Sequence, residues 1–112
     1  MTALWTRRFT FSACHESAGR FRAHNYVLGV TAENVGGEPG LERLGRTVED
    51  ALVRKLDSKD LGLHVDFLKG RPLDDEGLLR SFWGILEGAC APARLVRLTL
   101  DRDERTRVTL EP

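Results

Sequence analysis

Along residues 5–15, Phe9, Phe11, Ala13 and His15 alternate with Arg8, Thr10, Ser12 and Cys14. A period of two with one apolar side predicts a strand that buries one face. Residues 24–35 repeat the pattern: His24, Tyr26, Leu28, Val30 and Ala32 alternate with Asn25, Val27, Gly29, Thr31 and Glu33. The polar residues between His15 and His24 read as a tight loop, so the two strands form a hairpin. After the turn residues GGEPG the period changes. Leu41, Leu44, Val48, Leu52 and Leu56 recur every three or four positions, flanked by Ala51, with Glu42, Arg46, Glu49 and Arg54 opposite. That spacing predicts an amphipathic helix.

The stretch LDSKDLGLHVDFLKGRP reads as a long connection. Beyond it, Pro72 and the acidic run Asp74, Asp75, Glu76 mark a helix start, because carboxylates suit the positive end of the helix dipole. Leu78, Leu79, Phe82, Trp83, Ile85 and Leu86 follow at helical spacing and are expected in the core, with the helix stopping near Gly88. Val96, Leu98 and Leu100, then Val108 and Leu110, alternate with polar residues around the charged turn DRDERTR and predict a second hairpin. The order β-β-α-α-β-β describes an α+β fold in one domain spanning residues 1–112, a four-stranded antiparallel sheet with both helices on one face. Such a sheet has two free edges, and pairing with further copies of the chain would protect them, so a ring-like homo-oligomer is expected.

Composition narrows the functions. Seventeen basic and seventeen acidic side chains cancel, so no net field draws the chain to nucleic acid or to an anionic membrane. Apolar runs such as residues 26–30 are far shorter than the roughly 20 residues that cross a bilayer. The N-terminal stretch MTALWTRRFTF lacks the apolar core and cleavage site of a secretory signal. Cys14 and Cys90 have no paired spacing, as expected of small buried residues in a reducing, cytoplasmic setting.

The chemistry-bearing residues cluster in SACHESAGRFRAHNY, where His15 and His24 lie nine positions apart. Two readings stay open for them: ligands of a metal site, or strand-end histidines bonded to loop backbone. A catalytic zinc needs about three protein ligands and one open position, and a third donor here would have to be Glu16, Cys14 or His64. Asp57 reads as a turn or helix-end residue of LDSKD, and Ser58 has no neighbouring base to activate it.

Read together, FSACH, GRFRAHNYVLGVTAEN, KLDSKDL, HVDF and VRLTL resemble the 6-pyruvoyl tetrahydropterin synthase and 6-carboxytetrahydropterin synthase family, from about residue 8 to residue 110. The resemblance implies the tunnelling fold, in which subunits join their sheets into trimeric barrels that pair as hexamers. It also implies three zinc histidines, a cysteine and an Asp-His pair that move protons, and a glutamate that anchors a pterin ring.

Carried over position by position, His15 and His24 match two zinc ligands, and Arg22 stands at the third. Ala18 stands at the cysteine, Asp57 and Ser58 at the Asp-His pair, and Leu100 at the glutamate, with Asp101 one residue further on. Glu16 is a candidate replacement base or ligand, since one branch of the family uses a carboxylate. A guanidinium has no free lone pair for a metal, but Arg22 is suited to hold a carboxylate or phosphate by a bidentate contact. The sequence is therefore expected to encode a protein of this family that binds a pterin or purine-like small molecule with lost or altered lyase chemistry. The other reading is an active zinc-dependent lyase acting on dihydroneopterin triphosphate in pterin or queuosine-precursor biosynthesis. In either case a homo-oligomer, trimer or hexamer, is implied.

Overall fold

A computed structural model describes all 112 residues. Strands β1 (Trp5–Ser17) and β2 (Arg20–Glu33) pair antiparallel along their whole length. The expected loop between the histidines is absent. The strands continue to a two-residue turn at Ala18 and Gly19, both at positive φ (53° and 76°), the backbone twist that a two-residue hairpin turn requires. Glu16 therefore belongs to a strand and not to a loop.

Helix α1 (Gly37–Val48) runs without a break through a π-helical turn, Glu49–Val53, into α2 (Arg54–Leu56). Leu41, Leu44, Val48, Leu52 and Leu56 are all buried, as the spacing predicts. The wider π turn rotates the following residues, so Val53 is buried next to Leu52, whereas Ala51 is only half-buried.

The connection that follows is more structured than its sequence indicates. It contributes the two-residue strand β3 (Lys59–Asp60) and a 3-10 turn, Asp66–Leu68, and anchors Leu61, Val65 and Leu68 in the core. Helix α3 (Asp75–Ala89) starts where the acidic run places it: Asp74 is the N-cap and its side chain accepts a hydrogen bond from the Gly77 N–H at 3.2 Å. Strands β4 (Arg94–Asp101) and β5 (Arg107–Leu110) complete the chain.

The sheet order is β3-β1-β2-β4-β5. The four long strands are antiparallel as expected, and β3 adds a fifth, parallel to β1 at its edge. A bulge where β2 meets β4 shifts the register between Thr31 and Ala32, which face Arg97 and Leu95. The extra residue, Val96, is turned partly out of the core, and Leu95 is buried in its place. Leu98 and Leu100 remain fully buried, as expected.

One face of the sheet packs on the helices. Phe11 stacks on Tyr26 with ring centroids 5.0 Å apart and meets Phe82 of α3 edge-on at 6.2 Å. Trp83 and Ile85 are only half-buried at the margin of this core. The other face is polar: Thr6, Arg8, Thr10 and Ser12 of β1 lie beside Asn25, Thr99, Asp101 and Arg107 of the neighbouring strands.

Candidate ligand site at the hairpin

Strand β4 pairs with β2 only from Val27 to Glu33. The remaining half of the β1–β2 hairpin is a two-stranded ribbon that projects past the sheet, and the molecule is correspondingly elongated, 48 × 27 × 21 Å. Along residues 20–26 the outer edge of β2 has no neighbouring strand, which leaves a row of backbone donors and acceptors free for pairing.

Register decides which side chains meet on this ribbon. His15 lies directly opposite Arg22, and Ala13 directly opposite His24. Side chains of an antiparallel pair alternate between faces, so His15, Arg22 and His24 all belong to the face that packs on the helices further along the strands. The three positions the resemblance assigns to zinc are thus brought together. His15 is 7% exposed, its Nδ1 within 3.4 Å of the Glu16 carbonyl oxygen; His24 is half-buried; Arg22 is exposed.

None of the candidate third donors joins His15 and His24 together: Cys14 and His64 line a cavity that reaches only His24. Glu16 faces Phe21 across the hairpin and points to the opposite side, as does Cys14, which pairs with Ala23. His64 lies on the β3 side of β1, near Asp60, whose carbonyl accepts its N–H at 2.9 Å. No group of three or more His, Cys, Asp or Glu side chains is placed to hold a metal ion. Arg22, whose guanidinium can neither coordinate a metal nor lose its proton, stands opposite His15.

Asp57 and Ser58 close the open edge of β1. The Ser12 N–H donates to Asp57 Oδ1 at 2.9 Å, and the Ser58 N–H donates to the Ser12 carbonyl at 2.6 Å, with Ser58 at φ 62°. The Asp57 carboxylate is therefore a structural acceptor for strand-edge backbone. Replacing it by alanine is expected to lower stability by about 1 kcal/mol, the usual net worth of such a bond, measured as a fall in urea midpoint at unchanged slope. No change would mean that water replaces the carboxylate without cost.

On the polar side of the hairpin, next to this edge, lies a cavity of about 490 Å³ lined by Ser12, Cys14, Asn25, Ser58, Lys59 and His64 and bordered by His24. Its volume falls within the usual range for small-molecule sites. The Ser12 hydroxyl donates to Asn25 Oδ1 at 2.6 Å, which leaves the Asn25 amide free to donate. Cys14 is half-buried here, and Cys90 is the buried one of the two free thiols.

Tyr26 sits on the helix-facing side beneath His24, their rings edge to face at 5.5 Å. It is wholly buried and its hydroxyl has no hydrogen-bond partner. Burial first, and then the Asp75 carboxylate, push its pKa up to about 12. An unpaired buried hydroxyl costs about 1–3 kcal/mol, so Tyr26→Phe is expected to leave the melting temperature unchanged or raise it. A drop of several degrees would show that the hydroxyl is satisfied in solution.

At the position the resemblance gives to the glutamate, Leu100 is fully buried on the helix-facing side. Asp101 points to the polar face and accepts hydrogen bonds from Arg107 Nε and Nη2, at 2.6 and 3.0 Å, a contact that keeps its carboxyl below the usual range.

No protein-family model and no curated protein matches the sequence. Solved structures do match the fold. The structure of Caenorhabditis elegans 6-pyruvoyl tetrahydropterin synthase is 18% identical, covers 100% of this chain and 96% of its own, and superposes with a TM-score of 0.83. The Plasmodium vivax 6-pyruvoyl tetrahydropterin synthase is 13% identical over 100% and 98%, with a TM-score of 0.68. The Plasmodium falciparum protein is 12% identical over 99% and 98%, with a TM-score of 0.63. At these identities the likeness is one of architecture, and it extends from end to end: this chain has the fold of the 6-pyruvoyl tetrahydropterin synthases.

Proposed function

We propose that this protein is a small-molecule-binding member of that fold which takes a pterin or purine-like ring without zinc-dependent lyase chemistry. The observation that carries this reading is the pairing of Arg22 with His15. A fixed cation occupies the place where the fold's chemistry needs a neutral donor, and it removes both a ligand and the electrostatic room for a dication. Two further features support it. Ser58 replaces the imidazole of the proton-moving pair, and Asp57 is committed to the Ser12 amide. The carboxylate nearest to His15 in sequence, Glu16, points away from it. That matters because further Plasmodium vivax structures of this fold are variants of a catalytic glutamate.

The ring would enter the cavity beside β3, where the Asn25 amide and the Ser58 hydroxyl offer polar partners for its edge. The free edge of β2 and the outer edge of β5 favour assembly of several copies, trimer or hexamer, through main-chain pairing. No helix is long and apolar enough to cross a membrane, and a cytoplasmic setting fits the two free thiols.

The test combines metal analysis, ligand titration and turnover. Protein purified without chelator is expected to carry far less than one zinc per chain. It should quench the fluorescence of an unphosphorylated pterin on binding, and leave dihydroneopterin triphosphate unconverted. One zinc per chain lost in His15→Ala and His24→Ala, together with formation of a carboxy- or pyruvoyl-pterin, would establish the lyase instead. Sizing that returned a stable monomer would remove the assembly part.

A further inference from the structure

We propose that the cavity beside β3 selects heterocycles by one edge, an exocyclic oxygen next to a ring nitrogen, and that Ser12 is the positioning residue that sets this choice through Asn25. The inference rests on the reading that a pterin or purine-like ring enters this cavity, and adds which edge of the ring is recognised.

Ser12 and Asn25 face each other directly across β1 and β2. The Ser12 backbone is pinned on its other side, its N–H donating to Asp57 Oδ1 at 2.9 Å and its carbonyl accepting the Ser58 N–H at 2.6 Å. From that position the Ser12 hydroxyl donates to Asn25 Oδ1 at 2.6 Å. A primary amide has an accepting end and a donating end. With Oδ1 held by Ser12, the donor Nδ2 is the free end of the Asn25 amide.

The other groups of fixed direction agree. Lys59 brings an ammonium to the lining, which donates and never accepts. Asp60 is the one carboxylate there, and its Oδ1 is occupied at its own turn by the N–H groups of Gly62 and Leu63, at 3.0 and 3.2 Å. Ser58, His24 and His64 donate or accept as a ligand requires, so they do not discriminate.

Ring chemistry then selects the ligand. Oxopurines and oxopteridines present an oxygen and a neighbouring ring nitrogen, two acceptors in a row, whereas their amino analogues present a donor beside an acceptor. An asparagine reads the amino form by using both ends of its amide, and a lysine donates to the oxo form. The first pairing needs Oδ1, which Ser12 holds. An amino group set against the Asn25 amide or against Lys59 would oppose donor to donor, and both would lose the water they had.

The test compares dissociation constants for hypoxanthine against adenine, by calorimetry, and for pterin against its diamino analogue, by fluorescence. Each oxo ring is expected to bind about tenfold more tightly than its amino partner, the scale of one hydrogen bond gained or lost. Ser12→Ala frees Oδ1 and should narrow both gaps, chiefly by improving the amino rings. Ser12→Thr keeps the hydroxyl and should preserve them. Lys59→Met should weaken the oxo rings and leave the amino rings nearly unchanged. A merely structural role for Ser12 would lower all four affinities together and leave the ratios fixed; circular dichroism of each variant checks the fold. Rings bound without preference for the oxo form, ratios unmoved in Ser12→Ala, or ratios lost equally in Ser12→Thr overturn this proposal alone. No binding of any of the four rings overturns the reading on which it rests as well.

Discussion

Gly40→Ala is expected to destabilise the protein by about 3 kcal/mol or more, the range reached when a well-packed contact is forced apart. A Cβ built at Gly40 would lie 1.7 Å from the Val35 carbonyl oxygen and 2.6 Å from its carbon. Both are backbone atoms, so no rotamer change relieves the overlap, and the first turn of α1 would have to lift away from the end of β2. Intrinsic propensity opposes this outcome, since alanine favours a helix interior over glycine by about 1 kcal/mol. The clash is larger, and it sets the sign. A urea titration followed by circular dichroism measures the effect, and an unchanged or higher midpoint would mean that the strand-to-helix connection yields more easily than its packing indicates. The glycine is needed for closeness, because the first turn of α1 packs directly against the Val35 backbone that leads into it.

Phe82→Ala is expected to cost about 3–5 kcal/mol, the sum of lost transfer energy and the cavity left behind. Phe82 is fully buried and presents its edge to Phe11, which in turn stacks on Tyr26. This one side chain couples α3 to both strands of the long hairpin. Its loss should also loosen the base of the ribbon that carries His15, Arg22 and His24. Thermal unfolding measures the first effect, and faster amide exchange at residues 24–28 than at residues 94–100 measures the second. Phe82→Leu should restore most of the stability. Trp83→Ala is the internal control: Trp83 is only half-buried, so a loss as large as that of Phe82→Ala would contradict the assignment of the core.

The helices and strands were legible because burial imposes a period, and the chain obeys it. Leu41 through Leu56, Leu78 through Leu86 and the alternation about Phe9 and Leu28 each identify the face that ends in the core. The Asp74 cap was legible for a local reason: a carboxylate at a helix start satisfies an amide only a few residues away. Misreadings fell where local signals are weak or misleading. Residues 16–23 are polar because both faces of a projecting ribbon meet solvent, and polarity without an apolar face resembles a loop. Val96 was misplaced because a bulge breaks the period within a strand. β3 was not visible because two residues carry no period at all; it exists only because β1 offers it an edge.

What the sequence determined by itself is the order of the long elements and the buried face of each, for which covalent neighbours and hydrophobic periodicity are enough. The tertiary structure decided which polar residues meet. Register set Arg22 opposite His15, turned Glu16 and Cys14 to the other side, and spent the Asp57 carboxylate on the backbone of Ser12. Such facts depend on pairing between strands and on an edge 45 positions away in the chain, and a shift of one residue in that pairing would have reversed every one of them.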